Sequence, residues 1–167
     1  MPIKWRIDHD HLVVVSEISG RVAPAPAAAY MAATFGAGGA GYDELVISLH
    51  AITIDMKAPE LRAFLVERGF HQSGRPARIA MVSDANTVFG VARMISMMAE
   101  SVAEVEARAF RDLPGALEWL GLPADYAAGA ELLTGAPPGG ATNQETSRKT
   151  PYSQGLRKVL AWILPNL

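Results

Sequence analysis

The sequence contains no cysteine, which excludes disulfide bonds, thiol nucleophiles and metal sites built on thiolates. Neither sign of charge dominates, because 15 Lys and Arg residues against 17 Asp and Glu residues leave a net charge of −2. The chain therefore lacks the surplus of basic residues that would indicate nucleic-acid binding. No stretch approaches the roughly 20 apolar residues of a transmembrane helix. The amino-terminal segment also lacks a hydrophobic signal core, so we expect a cytoplasmic protein.

Half of the 167 residues are hydrophobic, which is enough for a sizeable core in one domain. Alternating or continuous apolar segments predict strands, and apolar residues three and four positions apart predict helices. The last helix of the series is well marked, because Asp112 offers an N-cap and Pro114 suits the first turn. The predicted strands are residues 5–8, 11–19, 44–49, 77–82 and 104–110, and the predicted helices are residues 24–35, 59–68, 86–101 and 113–120.

The order of these segments predicts an α/β fold. The first two strands are joined by a tight turn at residues 8–10, so they must be antiparallel. Later strands are connected through helices, which predicts right-handed crossovers and parallel pairs. We therefore predict a mixed five-strand sheet with about four helices over residues 1–122. Beyond it the composition predicts a further helix at 123–135, a flexible linker at 136–153 and an amphipathic C-terminal helix at 154–165.

The C-terminal helix has one apolar side and a basic opposite side. Its pattern is consistent with packing on the sheet domain, with packing on a second copy in a homodimer, and with weak contact to a membrane surface. The residues that would contact a partner or membrane are Leu156, Val159, Leu160, Trp162, Ile163 and Leu164.

Polar residues follow two neighbouring strands of the predicted sheet. His50 and Asp55 come after the third strand, and Ser83 and Asp84 follow the fourth. Ligands of open α/β sheets bind beyond the carboxyl ends of parallel strands, so these residues predict a ligand site, with Arg93 available for an anionic group. A His–Asp–Ser set also suggests a small hydrolase, although the Gly-x-Ser-x-Gly elbow is absent. The structural alternative is that Asp84 or Asn86 caps the next helix and that His50 is a loop residue.

The helix after these strand ends carries apolar residues on more than one side. Phe89 and Met94 are candidates to line an apolar pocket. Together with Met81, Met97 and Met98 they suit either core filling or an adaptable binding surface. Because Met94 and Met97 lie partly off the main apolar stripe, we expect one side of this helix to face the sheet and another to face a partner or lipid.

Two further patterns have simpler explanations as local structure. Residues 36–41 match the dinucleotide-binding pattern Gly-x-Gly-x-x-Gly, but they follow a helix and precede a strand, which reverses the required order. A flexible loop fits better, and no cofactor is expected. Residues 8–11, Asp-His-Asp-His, contain metal-ligand types, yet neighbouring strand residues point to opposite faces, which favours a polar turn over a metal site.

Three strand-to-helix segments carry a recurring pattern. They are residues 45–49 with 59–62, residues 79–83 with Phe-Gly-Val-Ala-Arg-Met at 89–94, and Ala-Phe-Arg-Asp at 109–112 with Ala-Leu-Glu-Trp-Leu at 116–120. With this pattern, residues 5–120 resemble the small bacterial STAS-like proteins, which have the fold of the sporulation anti-sigma-factor antagonist and include a lipid-binding, CRAL-TRIO-type branch. The antagonist branch carries a phosphorylatable serine where this chain has Ile-Asp-Met-Lys at 54–57, so a phosphoserine switch is not expected.

The resemblance implies a regulatory or binding module without catalytic residues. Such a module would dock a protein partner or bind a small apolar or anionic ligand. The alternatives are a lipid-associated carrier or peripheral membrane protein, and a small hydrolase that uses His50, Asp55 and Ser83.

Overall fold

The computed structural model describes residues 3–48, 52–70, 76–102 and 105–126, all within the first of two units into which the chain divides, residues 1–137. The predicted α/β class is confirmed, with a mixed five-stranded sheet and four α-helices in this part of the chain. The strands are β1 (Ile3–Asp8), β2 (Val13–Ile18), β3 (Gly20–Val22), β4 (Asp43–Ile47), β5 (Ile52–Ile54), β6 (Ala77–Val82) and β7 (Val105–Phe110). The helices are α1 (Pro24–Thr34), α2 (Ala58–Phe70), α3 (Asn86–Ala99) and α4 (Leu113–Leu120). The predicted linker, the C-terminal helix and most of the predicted helix at 123–135 lie outside the described residues.

The five-stranded sheet has the order β1-β2-β4-β6-β7. β1 and β2 are antiparallel, as their tight turn predicts, and each later pair is parallel, as the helical crossovers predict. A second sheet pairs β3 with β5 in parallel, and the sequence pattern does not predict it. Gly20, which the pattern treats as the end of the second strand, instead begins β3.

The two faces of the large sheet are covered by different helices. α1, α2 and α3 cover one face, where Val14, Val46 and Met81 are buried. α4 covers the other face, where Val15 and Leu45 are buried with the apolar side of that helix. Side chains alternate between faces along each strand, so the continuous apolar runs of β2, β4 and β6 fill both layers.

The predicted bounds of α4 are confirmed, and its two ends have the expected caps. Asp112 accepts a hydrogen bond from the backbone N–H of Gly115 at 2.9 Å. Gly121 adopts a left-handed φ of 74°, which closes the helix without a steric penalty. α2 differs from its prediction, because it continues through Gly69 to Phe70.

Arg78 on β6 fixes the C-terminal end of α4 to the sheet. Its guanidinium donates to the carbonyl oxygens of Trp119 at 2.9 Å and Leu120 at 2.8 Å. The same guanidinium contacts the Asp43 carboxylate, with Nη2 2.6 Å from Oδ2. The last carbonyl oxygens of a helix have no partner within the helix and attract cations, so Arg78 stabilises this end of α4.

The glycine-rich segment after α1 is a wide helical turn rather than the flexible loop predicted from the sequence. It covers Phe35–Gly39 and continues directly from Thr34. A Cβ atom on Gly39 would lie 3.0 Å from side-chain atoms of Ile7 and Val14 and from a backbone oxygen. The glycine at this position therefore allows the turn to approach the sheet closely, which explains it without a nucleotide.

The turn between β1 and β2 is organised by Asp8, which confirms the predicted polar turn. Its Oδ1 accepts hydrogen bonds from the backbone N–H groups of Asp10 and His11, both at 3.0 Å. Its Oδ2 lies 3.1 Å from His11 Nδ1 and accepts a hydrogen bond from the Tyr126 hydroxyl at 3.0 Å. Burial opposes ionisation of Asp8, but these hydrogen bonds outweigh it and hold the pKa of its carboxyl below the usual value.

Candidate functional site

The connections that leave β6 and β7 go to opposite faces of the sheet. β6 leads into α3 on one face, and β7 leads into α4 on the other. Where the connections after two neighbouring parallel strands leave for opposite faces of the sheet, a crevice opens beyond the carboxyl ends of the strands. Ligands of open α/β sheets bind in such crevices. We call this place the carboxyl-edge crevice and define it by Ser83, Asp84, Phe89 and Arg111.

Ser83 lies directly after β6 and is 2% exposed. Its backbone N–H donates to the Phe110 carbonyl oxygen at 3.1 Å, so the residue is held between the two strand ends. Its hydroxyl oxygen is buried and has no hydrogen-bond partner among the residues that the structure describes. A buried polar group without a partner costs roughly 1–3 kcal/mol, which makes this hydroxyl the least satisfied group of the crevice.

A second serine lies beside Ser83 on the neighbouring strand. Ile47 pairs with Val82, so Ser48 and Ser83 are the next residues along β4 and β6. Ser48 is 4% exposed and its hydroxyl donates to the Ile18 carbonyl oxygen at 3.4 Å. The carboxyl ends of two parallel strands are therefore polar, although the strands themselves are apolar.

The N-terminus of α3 is not capped by a side chain. Its N-cap is Ala85, and the first turn contains no acidic residue. The sequence-based alternative that Asp84 or Asn86 caps this helix is therefore wrong. The first backbone N–H groups of a helix have no partner within the helix and attract anions, so this end of α3 is a possible contact for an anionic group.

Arg111 brings a cation to the same place. Its guanidinium carbon lies 3.8 Å from the centre of the Phe89 ring, and its Nη1 donates to the Asp84 carbonyl oxygen at 3.1 Å. Stacking on an aromatic ring restrains a guanidinium while leaving its other N–H groups available. The sequence analysis did not select Arg111 as a site residue. Its position immediately after a predicted strand was the available signal.

The structure brings three of the predicted site residues together and separates others from them. Ser83, Asp84 and Phe89 meet at the crevice through their neighbouring positions and through Arg111. Asp55 follows β5 rather than β4, and its carboxylate lies 3.0 Å from Arg21 Nη2. No described residue forms a hydrogen bond with the Ser83 hydroxyl. His50 lies outside the described residues.

Arg93 and Met94 lie further along α3. Met94 and Met97 are 45% and 65% exposed, as their positions off the main apolar stripe predict. Arg93 lines an open groove of about 480 Å³ between α3 and β7. We call it the α3–β7 groove, and its lining is formed by Phe89, Arg93, Ser96, Met97, Glu100, Val105, Glu106, Ala107, Arg108, Ala109 and Trp119.

A buried polar cluster under α1 and α2 was not predicted from the sequence. Glu44 accepts hydrogen bonds from the Ser16 hydroxyl at 3.1 Å, from the Tyr30 hydroxyl and from Arg68 Nε at 3.0 Å. The Arg68 and Glu44 side chains are 2% and 4% exposed. Burial and the neighbouring Glu44 carboxylate raise the pKa of Tyr30 well above 10. Because Glu44 and Arg68 are almost fully buried and compensate each other's charge, we interpret the cluster as structural.

The partner or membrane residues predicted in the C-terminal segment, Leu156 to Leu164, lie outside the described residues. Within the described ranges, no helix is long and apolar enough to cross a membrane. Searches against protein-family models, curated proteins and solved structures each return no match to this chain. The STAS-like resemblance therefore stays a prediction, and the functional proposal depends on the crevice itself.

Proposed function

We propose that this chain is a non-enzymatic binding module that holds a small ligand by a phosphate or carboxylate group in the carboxyl-edge crevice. The observation that carries the proposal is the buried Ser83 hydroxyl, which has no hydrogen-bond partner among the described residues and lies two residues before Ala85, the N-cap of α3. An anion at this point would accept hydrogen bonds from the hydroxyl and from the first N–H groups of the helix.

Arg111 supplies the charge that complements such a ligand. Its stacking on Phe89 fixes the guanidinium near the helix end, and the hydrogen bond to Asp84 uses only one of its N–H groups. The remaining N–H groups suit a bidentate contact with phosphate or carboxylate oxygens. Phe89 also lines the α3–β7 groove, so an apolar part of the ligand would have a surface to contact.

We propose binding rather than catalysis at Ser83. A serine nucleophile requires a general base within hydrogen-bond distance, and no described residue forms that contact; His50, the base of the hydrolase alternative, lies outside the described residues. The STAS-like resemblance also implies a binding module. A serine-dependent esterase activity that disappears in Ser83→Ala would contradict this part of the proposal.

Titration with inorganic phosphate and with acetate, followed by calorimetry, tests the binding site. Arg111→Gln should weaken binding by about tenfold or more, since a hydrogen bond to a charged group contributes roughly 1.5–3 kcal/mol. Arg93→Gln is the matched control, because it also removes one arginine, but from the α3–β7 groove rather than from the crevice. Equal affinities for the wild type and Arg111→Gln, or no saturable binding by the wild type, would refute the proposal.

Ser83→Ala separates a binding role from a structural one. The substitution removes a buried hydroxyl without a partner, so the unliganded protein should unfold at a higher temperature. It should also bind phosphate more weakly, because one donor to the anion is lost. A variant that is more stable but binds with unchanged affinity would show that the hydroxyl does not contact the ligand.

A further inference from the structure

β7 is an outer strand of the large sheet. Among the described residues it pairs with β6 only, so its other edge has no strand beside it. The α3–β7 groove follows this edge, and its floor contains the consecutive residues Val105 to Ala109. An edge of this kind presents unpaired backbone N–H and C=O groups and is a ready site for strand pairing.

The groove has an acidic end and a basic end. α3 crosses back over the sheet before β7 begins, so the two elements run in opposite directions. Glu100 at the end of α3 therefore lies towards the start of β7, and Arg93, two turns earlier on the helix, lies towards its other end. Glu106 and Arg108 follow the same order on the opposite face of β7, where the Arg108 guanidinium lies 5.2 Å from the centre of the Trp119 ring. A surface with this polarity complements a copy of itself that runs in the opposite direction.

We propose that the α3–β7 groove is an interface between two copies of this chain, in which the β7 strands lie antiparallel about a twofold axis at Ala107. In this register Glu106 of each copy lies opposite the partner's Arg108, which gives two attractive cross-strand pairs. The other face of β7 carries the small residues Ala107 and Ala109, and the flexible Met97 side chain lies exposed above them. These residues let the two copies approach closely and cover apolar surface on both.

Charges on an outer strand often prevent pairing with another strand, but they can also favour it. The order of the positive and negative residues along the strand decides which of these two effects they have. Like charges at successive outward positions repel a copy of the strand in any direction. Glu106 and Arg108 have opposite signs, so they repel in a parallel self-pair but attract in the antiparallel pair. At the opposite side of the sheet, an antiparallel self-pair at the centre of β1 would place Arg6 against the partner's Arg6.

Charge reversal in the full-length chain tests the register directly. The wild type should have twice the chain mass of 17.8 kDa in native mass spectrometry and analytical ultracentrifugation. Glu106→Arg and Arg108→Glu should each lose the dimer, because every cross-strand pair then joins like charges. The double variant Glu106→Arg/Arg108→Glu should recover it, and a mixture of the two single variants should form a heterodimer, since their pairs are complementary again.

The mixture also shows that the single variants are folded, because a misfolded chain would not be rescued by its counterpart. Arg62→Glu, an exposed charge reversal on α2, is the matched control and should remain dimeric. A monomeric wild type would overturn the proposal. A dimer that survives both single reversals, or a double variant that stays monomeric, would also overturn it.

Discussion

Replacing Glu44 by Gln should destabilise the domain strongly. The Arg68 side chain is 2% exposed, and its Nε lies 3.0 Å from Glu44 Oε2. Gln keeps the size of the side chain and an acceptor for the neighbouring hydroxyls, but it removes the charge that compensates the guanidinium. Breaking a buried ion pair in this way costs about 3–5 kcal/mol. For a domain of this size we expect a fall in Tm of roughly 10–20 °C.

An exposed ion pair of the same length provides the comparison. Arg21 and Asp55 are also 3.0 Å apart, but their side chains are 72% and 51% exposed. Asp55→Asn should therefore cost less than about 1 kcal/mol. The difference between the two substitutions isolates the effect of burial, because the charges and the distance are matched.

Urea denaturation at neutral pH, followed by circular dichroism, measures both free energies of unfolding. The double variant Glu44→Gln/Arg68→Met should recover most of the stability lost in Glu44→Gln, since it leaves no uncompensated charge in the core. Equal, small losses in Glu44→Gln and Asp55→Asn would refute the reasoning, because they would mean that water reaches the Glu44 carboxylate. The reasoning would also be refuted if the double variant lost as much free energy of unfolding as Glu44→Gln and Arg68→Met lose together.

Three further substitutions test other features of the domain. Folding raises the pKa of Tyr30, so the contribution of its protonated hydroxyl to stability is complete below about pH 10 and is lost as the pH rises above that value. Urea denaturation at about pH 9 and about pH 11 should therefore show that the free energy of unfolding falls less with pH in Tyr30→Phe than in the wild type. Gly39→Ala should lower the free energy of unfolding by roughly 1–3 kcal/mol because its Cβ would overpack, whereas the Cβ of Gly36→Ala has open space and should not destabilise the domain. Thermal unfolding of the two variants measures this difference. Asp112→Ala removes the N-cap of α4 and should cost about 1 kcal/mol in urea denaturation, and an unchanged midpoint would show that the cap contributes nothing.

The elements that the sequence predicts correctly are those whose signals are local. The cap at Asp112 and the apolar spacing that follows it are within one short segment, and the bounds of α4 are confirmed. The same holds for the β-branched run of β2 and for the polar turn at Asp8. A local signal predicts the end of α2 wrongly, because a glycine usually ends a helix but this helix continues through Gly69. β3 and β5 have three residues each, which is too short for a periodic pattern.

The candidate site depends on contacts between residues far apart in the chain. Ser83 and Asp84 could be selected because they follow a predicted strand, and Phe89 because it lies on an apolar side of the next predicted helix. Arg111 is placed on the Phe89 ring by the parallel pairing of β6 with β7, which only the folded sheet shows. Glu44 escaped prediction for a similar reason, since a charged residue is expected at the surface unless its buried partners are known.

The strands of the large sheet lie side by side in the order in which they occur along the chain. During synthesis, each new strand can therefore add to an edge that already exists, and no earlier pair has to open. β6 is the outer edge until β7 leaves the ribosome, and five of its six residues are buried in the finished domain. A nascent chain of which β6 but not yet β7 has left the ribosome therefore exposes the most apolar edge of the sheet, and this stage is where aggregation during translation is most to be expected.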